Sequence, residues 1–116
     1  MTNIKKTVGI IKGIKDILKG EFNLDLVLIQ VGFYIEVIEE DADYFHKEFD
    51  FELHDAGGRR SYNVTGFPKQ HLDKYLEILD ERKIWYAVVE QIDVGEDRVT
   101  REVTYSPNRK ALGLVF

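Results

Sequence analysis

The chain has 116 residues, of which 44% are hydrophobic and 32% charged, the balance of a folded domain with a real core rather than of a disordered segment. It contains no cysteine, which excludes a disulfide framework and thiolate metal sites. A formal net charge of -5 argues against strong sequence-independent binding to phosphates, because that binding needs accumulated Lys and Arg.

Ile10, Ile11, Ile14, Ile17 and Leu18 recur at helical spacing and predict a helix over about Thr7 to Lys19, stopped by Gly20. Leu24 to Val31 reads as a mostly buried strand. Gly32 then marks a turn or bulge before a partner strand, Phe33 to Ile38. Glu39, Glu40 and Asp41 suit a helix N-terminus, where free amides and the dipole favour carboxylates. Ala42, Phe45 and Phe49 give that helix its apolar face.

Phe51 to His54 is expected to be a strand, Asp55 to Gly58 a turn, and Arg59 to Val64 the returning strand. Gly66-Phe67-Pro68 is expected to break the pattern. Leu72, Tyr75, Leu76 and Leu79 predict a helix from about Gln70 to Arg82. Ile84 to Ile92 reads as an interior strand, Asp93 to Asp97 as a turn, and Arg98 to Tyr105 as a last strand closed by Ser106-Pro107. The expected fold class is α/β (α+β): a mixed sheet of about six strands flanked by about three helices, in one domain over residues 1–116.

Charge is unevenly placed. Residues 1–20 carry five lysines against Asp16, whereas residues 36–55 carry nine acids against Lys47. Residues 56–70 and 98–116 are again basic, through Arg59, Arg60 and Lys69, and through Arg98, Arg101, Arg109 and Lys110. Two readings stay open: ordinary surface scatter, or a basic surface assembled from separate segments with an acidic helix elsewhere.

Catalytic signatures are missing. There is no Gly-x-x-x-x-Gly-Lys-Ser/Thr run and no Gly-x-Ser-x-Gly. His46, His54 and His71 are scattered, so no metal site and no cofactor are expected. Asp50, Glu52 and His54 would share a strand face, but a solvated edge explains them better than acid–base chemistry. No membrane-length apolar run and no signal core are present, and a cytoplasmic, non-enzymatic protein is the expectation.

The most informative stretch is Val31-Gly32-Phe33-Tyr34-Ile35-Glu36-Val37-Ile38-Glu39-Glu40-Asp41-Ala42. Strand alternation projects Tyr34 and Glu36 together, with Phe33, Ile35 and Val37 on the opposite, core side. The run resembles the Val-Gly-Asp-Phe-Tyr-Glu-Leu-Phe and Glu-Asp-Ala segments of the N-terminal mismatch-recognition domain of the MutS DNA mismatch repair family. Gly66-Phe67-Pro68 is similar to that family's Gly-Val-Pro. Tyr86-Ala87-Val88-Val89-Glu90-Gln91 is similar to its Val-Ala-x-x-x-Gln strand, and Arg101-Glu102-Val103-Thr104 with Ser106-Pro107 to its close.

The resemblance implies a DNA-binding module in which an aromatic ring stacks on a mispaired base and a glutamate hydrogen-bonds that base. Aligned without a gap, the ring is Tyr34 and the acid Glu36, while Phe33 takes an inward-facing position. A gapped alignment that made Phe33 the wedge would place it on the face opposite Glu36 and is rejected on that ground. Arg59, Arg60, Lys69 and Arg101 are the expected backbone contacts, inferred from charge and position. The family's ATPase and clamp have no counterpart in this sequence, so repair by this chain alone is not expected. The alternative reading is a protein-interaction accessory, for example of a polymerase or reverse transcriptase, docking through the acidic helix from Glu39 to Asp50.

Overall fold

The computed structural model describes residues 3–57, 62–94 and 99–107, with side chains described at 10–57, 62–92 and 100–107. The elements in chain order are α1 (Asn3–Glu21), β1 (Leu26–Val31), β2 (Tyr34–Ile38), α2 (Glu40–Phe49), β3 (His54–Asp55), β4 (Asn63–Pro68), α3 (Leu72–Glu81), β5 (Tyr86–Val94) and β6 (Val99–Tyr105). A single 3-10 turn, Lys69–His71, leads into α3. The strands form one mixed sheet in the order β3-β4-β2-β1-β5-β6. β1 pairs antiparallel with β2 and parallel with β5. β1 is central and carries helices on both sides, which explains its nearly continuous apolar run, Leu26 to Ile29.

Alternation divides the sheet residues between two cores. On one face Leu26, Leu28, Ile35, Val37, Phe67, Tyr86 and Val88 meet Ala42 and Phe45 of α2 and Leu72 and Leu79 of α3. On the other, Val27, Ile29, Ile38, Ala87 and Val89 meet Ile11 and Leu18 of α1. The buried stripe of α1 is narrower than its sequence pattern: Ile10 and Ile17 face solvent.

The buried stripe of α1 also contains a charge. Lys15 is 2% exposed, and its ammonium donates to the Ile38 carbonyl at 3.2 Å, to Glu39 at 3.1 Å and to Glu40. Lys12 donates to Glu39 at 3.0 Å, and Lys19 to Asp41 at 2.6 Å and Glu40 at 3.2 Å. Asp41, fully buried, also accepts from the Val27 amide at 2.9 Å. Three lysines of α1 therefore meet the acid run that opens α2. Burial pushes the Glu40 carboxyl up, but the donors from Lys15, its own amide and Lys19 outweigh this and bring it to about 2. Burial wins at Asp41, which stays above its ordinary value despite Lys19.

Asp93 and Val94, expected in a turn, extend β5 and pair with Thr100 and Val99. Three further expectations fail. Phe51 to His54 is not a strand; only His54 and Asp55 pair with β4. Asp50 ends α2 in the left-handed region at φ 59, and Phe51 and Leu53 turn into the core. Side chains hold this segment's carbonyls instead: His46 Nδ1 lies 2.7 Å from the Phe51 oxygen, and Thr65 Oγ1 donates to the Glu52 oxygen at 2.7 Å. Second, Gly66-Phe67-Pro68 does not break the sheet but completes β4, paired with Glu36, Ile35 and Tyr34. A Cβ on Gly66 would lie 2.1 Å from the Ile35 carbonyl oxygen, so only glycine lets β4 pass here. Third, Phe33 does not face the core; it is 93% exposed.

Candidate nucleic-acid interface

The position of Phe33 follows from the turn. Val31 pairs with Tyr34, so Gly32 and Phe33 form a two-residue hairpin loop. Gly32 has φ 61 and Phe33 has no positive φ, the pattern of a type II′ turn with glycine at its first central position. Strand parity stops at Tyr34, and the ring of Phe33 is directed out of the tip.

Tyr34 and Glu36 do share a face, as alternation requires, and Ile35 and Val37 are buried on the other. Their face is the α1 side of the sheet, beyond the area that α1 covers. Tyr34 is 48% exposed and Glu36 half-buried. Both line a groove of ≈ 490 Å³ with Asp50, Phe51, Glu52, His54, Val64, Thr65 and Gly66. Glu36 has no ion pair or side-chain hydrogen bond among the described residues, and burial raises its carboxyl above the ordinary value. A carboxyl so placed takes up a proton more readily, and then donates as well as accepts. Among the described residues no group of acids and histidines is arranged to hold a metal ion.

The remaining candidates fall in different places. Arg101 pairs with Gln91, which alternates with Ala87 and Val89, so Arg101 shares the sheet face of Tyr34. It stands three strands away, about 14 Å at ordinary strand spacing. It makes no ion pair among the described residues, and its Nε is buried without a partner. Lys69 reaches to Glu90 at 3.4 Å, and Glu90 alternates with Val88 on the opposite face. Arg59 and Arg60 lie outside the described residues.

The helix from Glu40 to Phe49 offers few free acids. Glu40 is held by Lys15 and Lys19, Asp43 accepts from Asn63 at 2.9 Å, and Glu48 pairs with Arg82 at 2.7 Å. Of the N-terminal lysines, Lys12, Lys15 and Lys19 are likewise engaged, as the cations that neutralise the acid run.

Sequence reasoning missed the clasp around the hairpin tip. The Gln30 amide donates to the Gly32 carbonyl at 2.9 Å and its oxygen accepts from the Gln91 amide nitrogen of the main chain at 2.8 Å. The Gln91 side chain accepts from Gly32 N–H at 3.2 Å, and Lys69 N–H donates to the Phe33 carbonyl at 2.9 Å. Two glutamines at the ends of adjacent apolar strands were the available signal.

A mixed six-stranded sheet with one helix on one face and two on the other, and an aromatic–acid pair on its second strand, places the chain in the mixed α/β class. The chain belongs to the MutS domain I family, whose sequence model matches residues 16–108. Among curated proteins it is similar to "DNA mismatch repair protein MutS 1" from two strains of Halobacterium salinarum, 32% identical over 87 residues. The match covers 74% of this chain and 10% of each relative's length. Among the described residues no helix is long and apolar enough to cross a membrane.

Proposed function

We propose that this domain binds DNA duplexes at mispaired or distorted bases, using the face of β2 that presents Tyr34 and Glu36. The observation that carries the reading is the pair itself. A half-exposed ring and a proton-accepting carboxyl without a hydrogen-bond or ion-pair partner among the described residues lie side by side on the part of the sheet that α1 leaves open, in a MutS domain I fold. A ring inserted from the minor groove must unstack a base step, at a cost of about a few kcal/mol, and mispaired steps resist least. Glu36 then meets the displaced base edge. Arg101, on the same face and without an ion pair among the described residues, supplies a phosphate contact, as do Arg59 and Arg60. Lys69 joins them only by giving up Glu90.

Residues 1–116 carry no phosphate-binding loop, so any ATP-driven repair cycle requires other polypeptide. The test is fluorescence anisotropy at low salt with a fully paired duplex, a single mismatch, an unpaired base, and single strands. Tighter binding to the mismatched or unpaired duplex, reduced in Glu36→Ala, supports the reading. Equal affinity for all duplexes, or none, refutes it.

A further inference from the structure

We infer that the ring which enters the base stack is Phe33, at the hairpin tip, with Tyr34 as the second ring behind it. The inference rests on the DNA-binding reading above and deepens it by naming the leading group. Phe33 is the most exposed large apolar residue among those described, at 93%, whereas Tyr34 is 48% exposed. Single exposed apolar residues are common and by themselves mean little. This one differs in its mounting.

The two-residue loop is fastened on both flanks. Gln30 and Gln91 bind Gly32 from β1 and β5, and Lys69 N–H binds the Phe33 carbonyl from the end of β4. The main chain on either side of the ring is therefore fixed before any ligand arrives, and little ordering cost is left for binding. An exposed ring on a fixed tip is the shape of a wedge. Tyr34, by contrast, is flanked by Val31 and Pro68 in the neighbouring strands and must work from within the sheet face.

Chemistry favours the same order. A phenyl ring inserted between bases carries no polar atom to desolvate, whereas the Tyr34 hydroxyl must keep water or find a partner. The occupant of the tip is then a base step beside an unpaired or mispaired base. Tyr34 and Glu36, one and three residues further along, lie behind it to meet the displaced base. Gln30 and Gln91 are positioning residues: they touch the loop and not the DNA.

The experiment compares the parent with Phe33→Ala and Tyr34→Ala, on paired duplex and on duplex with one mismatch flanked by 2-aminopurine. Anisotropy reads affinity and 2-aminopurine emission reads unstacking. Phe33 is exposed, so circular dichroism and thermal unfolding of Phe33→Ala should match the parent. Phe33→Ala should lose roughly tenfold or more of the mismatch preference, together with the rise in emission, while keeping the parent's affinity for paired duplex. Gln91→Ala should lose part of the preference, and Gln91→Glu, which keeps the acceptor for Gly32 N–H, should retain more of it.

If Phe33→Ala retains the preference and Tyr34→Ala loses it, Phe33 is not the wedge while the DNA-binding reading stands. A uniform loss across all duplexes in Phe33→Ala likewise overturns the wedge role. If the parent shows no preference at all, the reading beneath the inference falls with it.

Discussion

Gly66 makes the sharpest demand on the fold. It faces Glu36 across β2 and β4, and an added Cβ would meet the Ile35 oxygen at 2.1 Å, the Ile35 carbon at 3.1 Å and the Glu36 Cα at 3.3 Å. All three are main-chain atoms inside the sheet, so no side chain can rotate away. Gly66→Ala must therefore move one strand against the other by about 1 Å or more to restore ordinary contact distances, stretching the β2–β4 hydrogen bonds. Overpacking of this kind costs about 3 kcal/mol. For a domain of this size that lowers Tm by roughly 10–15 °C.

The natural control is Gly13→Ala in α1, where an added Cβ meets nothing within 4 Å. That change should stabilise by about 0.5–1 kcal/mol through helix propensity. Thermal unfolding by circular dichroism separates the two. In the anisotropy assay Gly66→Ala should also weaken mismatch preference, because the strand that shifts carries Tyr34 and Glu36. A Gly66→Ala protein that melts with the parent would refute the close approach and, with it, the account of why β4 needs glycine there.

Asp41→Ala should be among the most destabilising changes, by about 3 kcal/mol, since it takes the shorter of two carboxylate partners from Lys19 and leaves the buried Val27 amide without its acceptor; Asp41→Asn, which still accepts from that amide, should cost less in urea unfolding. Glu36 is raised by burial, so across the window from its ordinary value up to its folded value the unfolded chain loses its proton first and stability falls as pH rises. Glu36→Gln should remove that slope and leave Tm at neutral pH equal to or above the parent's. Glu40 has the opposite sign: it is brought down to about 2, so its contribution is present above its ordinary value near 4.5 and is lost as pH falls toward 2. An acid-unfolding midpoint that moves upward in Glu40→Gln checks this. Mismatch affinity should strengthen as pH falls from neutral toward the Glu36 value, and Glu36→Gln should flatten the profile. His54, Asp50 and Glu52 share the groove, so the difference between parent and variant is the quantity to read.

Periodicity made much of this fold legible. Apolar and β-branched runs at Leu24 to Val31 and Ile84 to Ile92, with alternation in Phe33 to Ile38, marked the inner strands, and the acid run marked the start of α2. What stayed hidden depends on distance or on local backbone choice. Phe51 and Leu53 read as alternating strand residues because they are half-buried, yet a left-handed Asp50 turns them into the core without a ladder. Gly66-Phe67-Pro68 read as a break because glycine and proline usually punctuate, and only the approach of β2 explains the glycine within a strand. Phe33 was assigned to the core by parity, a rule that ends where the turn begins. The lysine–acid lattice joins residues 21 to 27 positions apart, and an excess of one sign at 1–20 with the other at 36–55 was its only trace. That Tyr34 and Glu36 share a face was legible because two residues on one strand need no long-range knowledge to do so.

The parallel pairing of β1 with β5 has a consequence for how the protein comes into being. Leu26 registers with Tyr86, so the central strand waits for a partner made sixty residues later. During synthesis β1, β2, α2, β4 and α3 all precede β5, and until β5 docks, β1 presents the unpaired edge Leu-Val-Leu-Ile-Gln-Val. An open apolar edge of that kind is a template for joining strands of other chains. The same docking delivers Gln91 to the hairpin tip. A nascent or truncated chain lacking β5 is thus both adhesive and without a fastened tip, and the last hairpin to form covers the sheet edge and completes the bonds at the tip in one event.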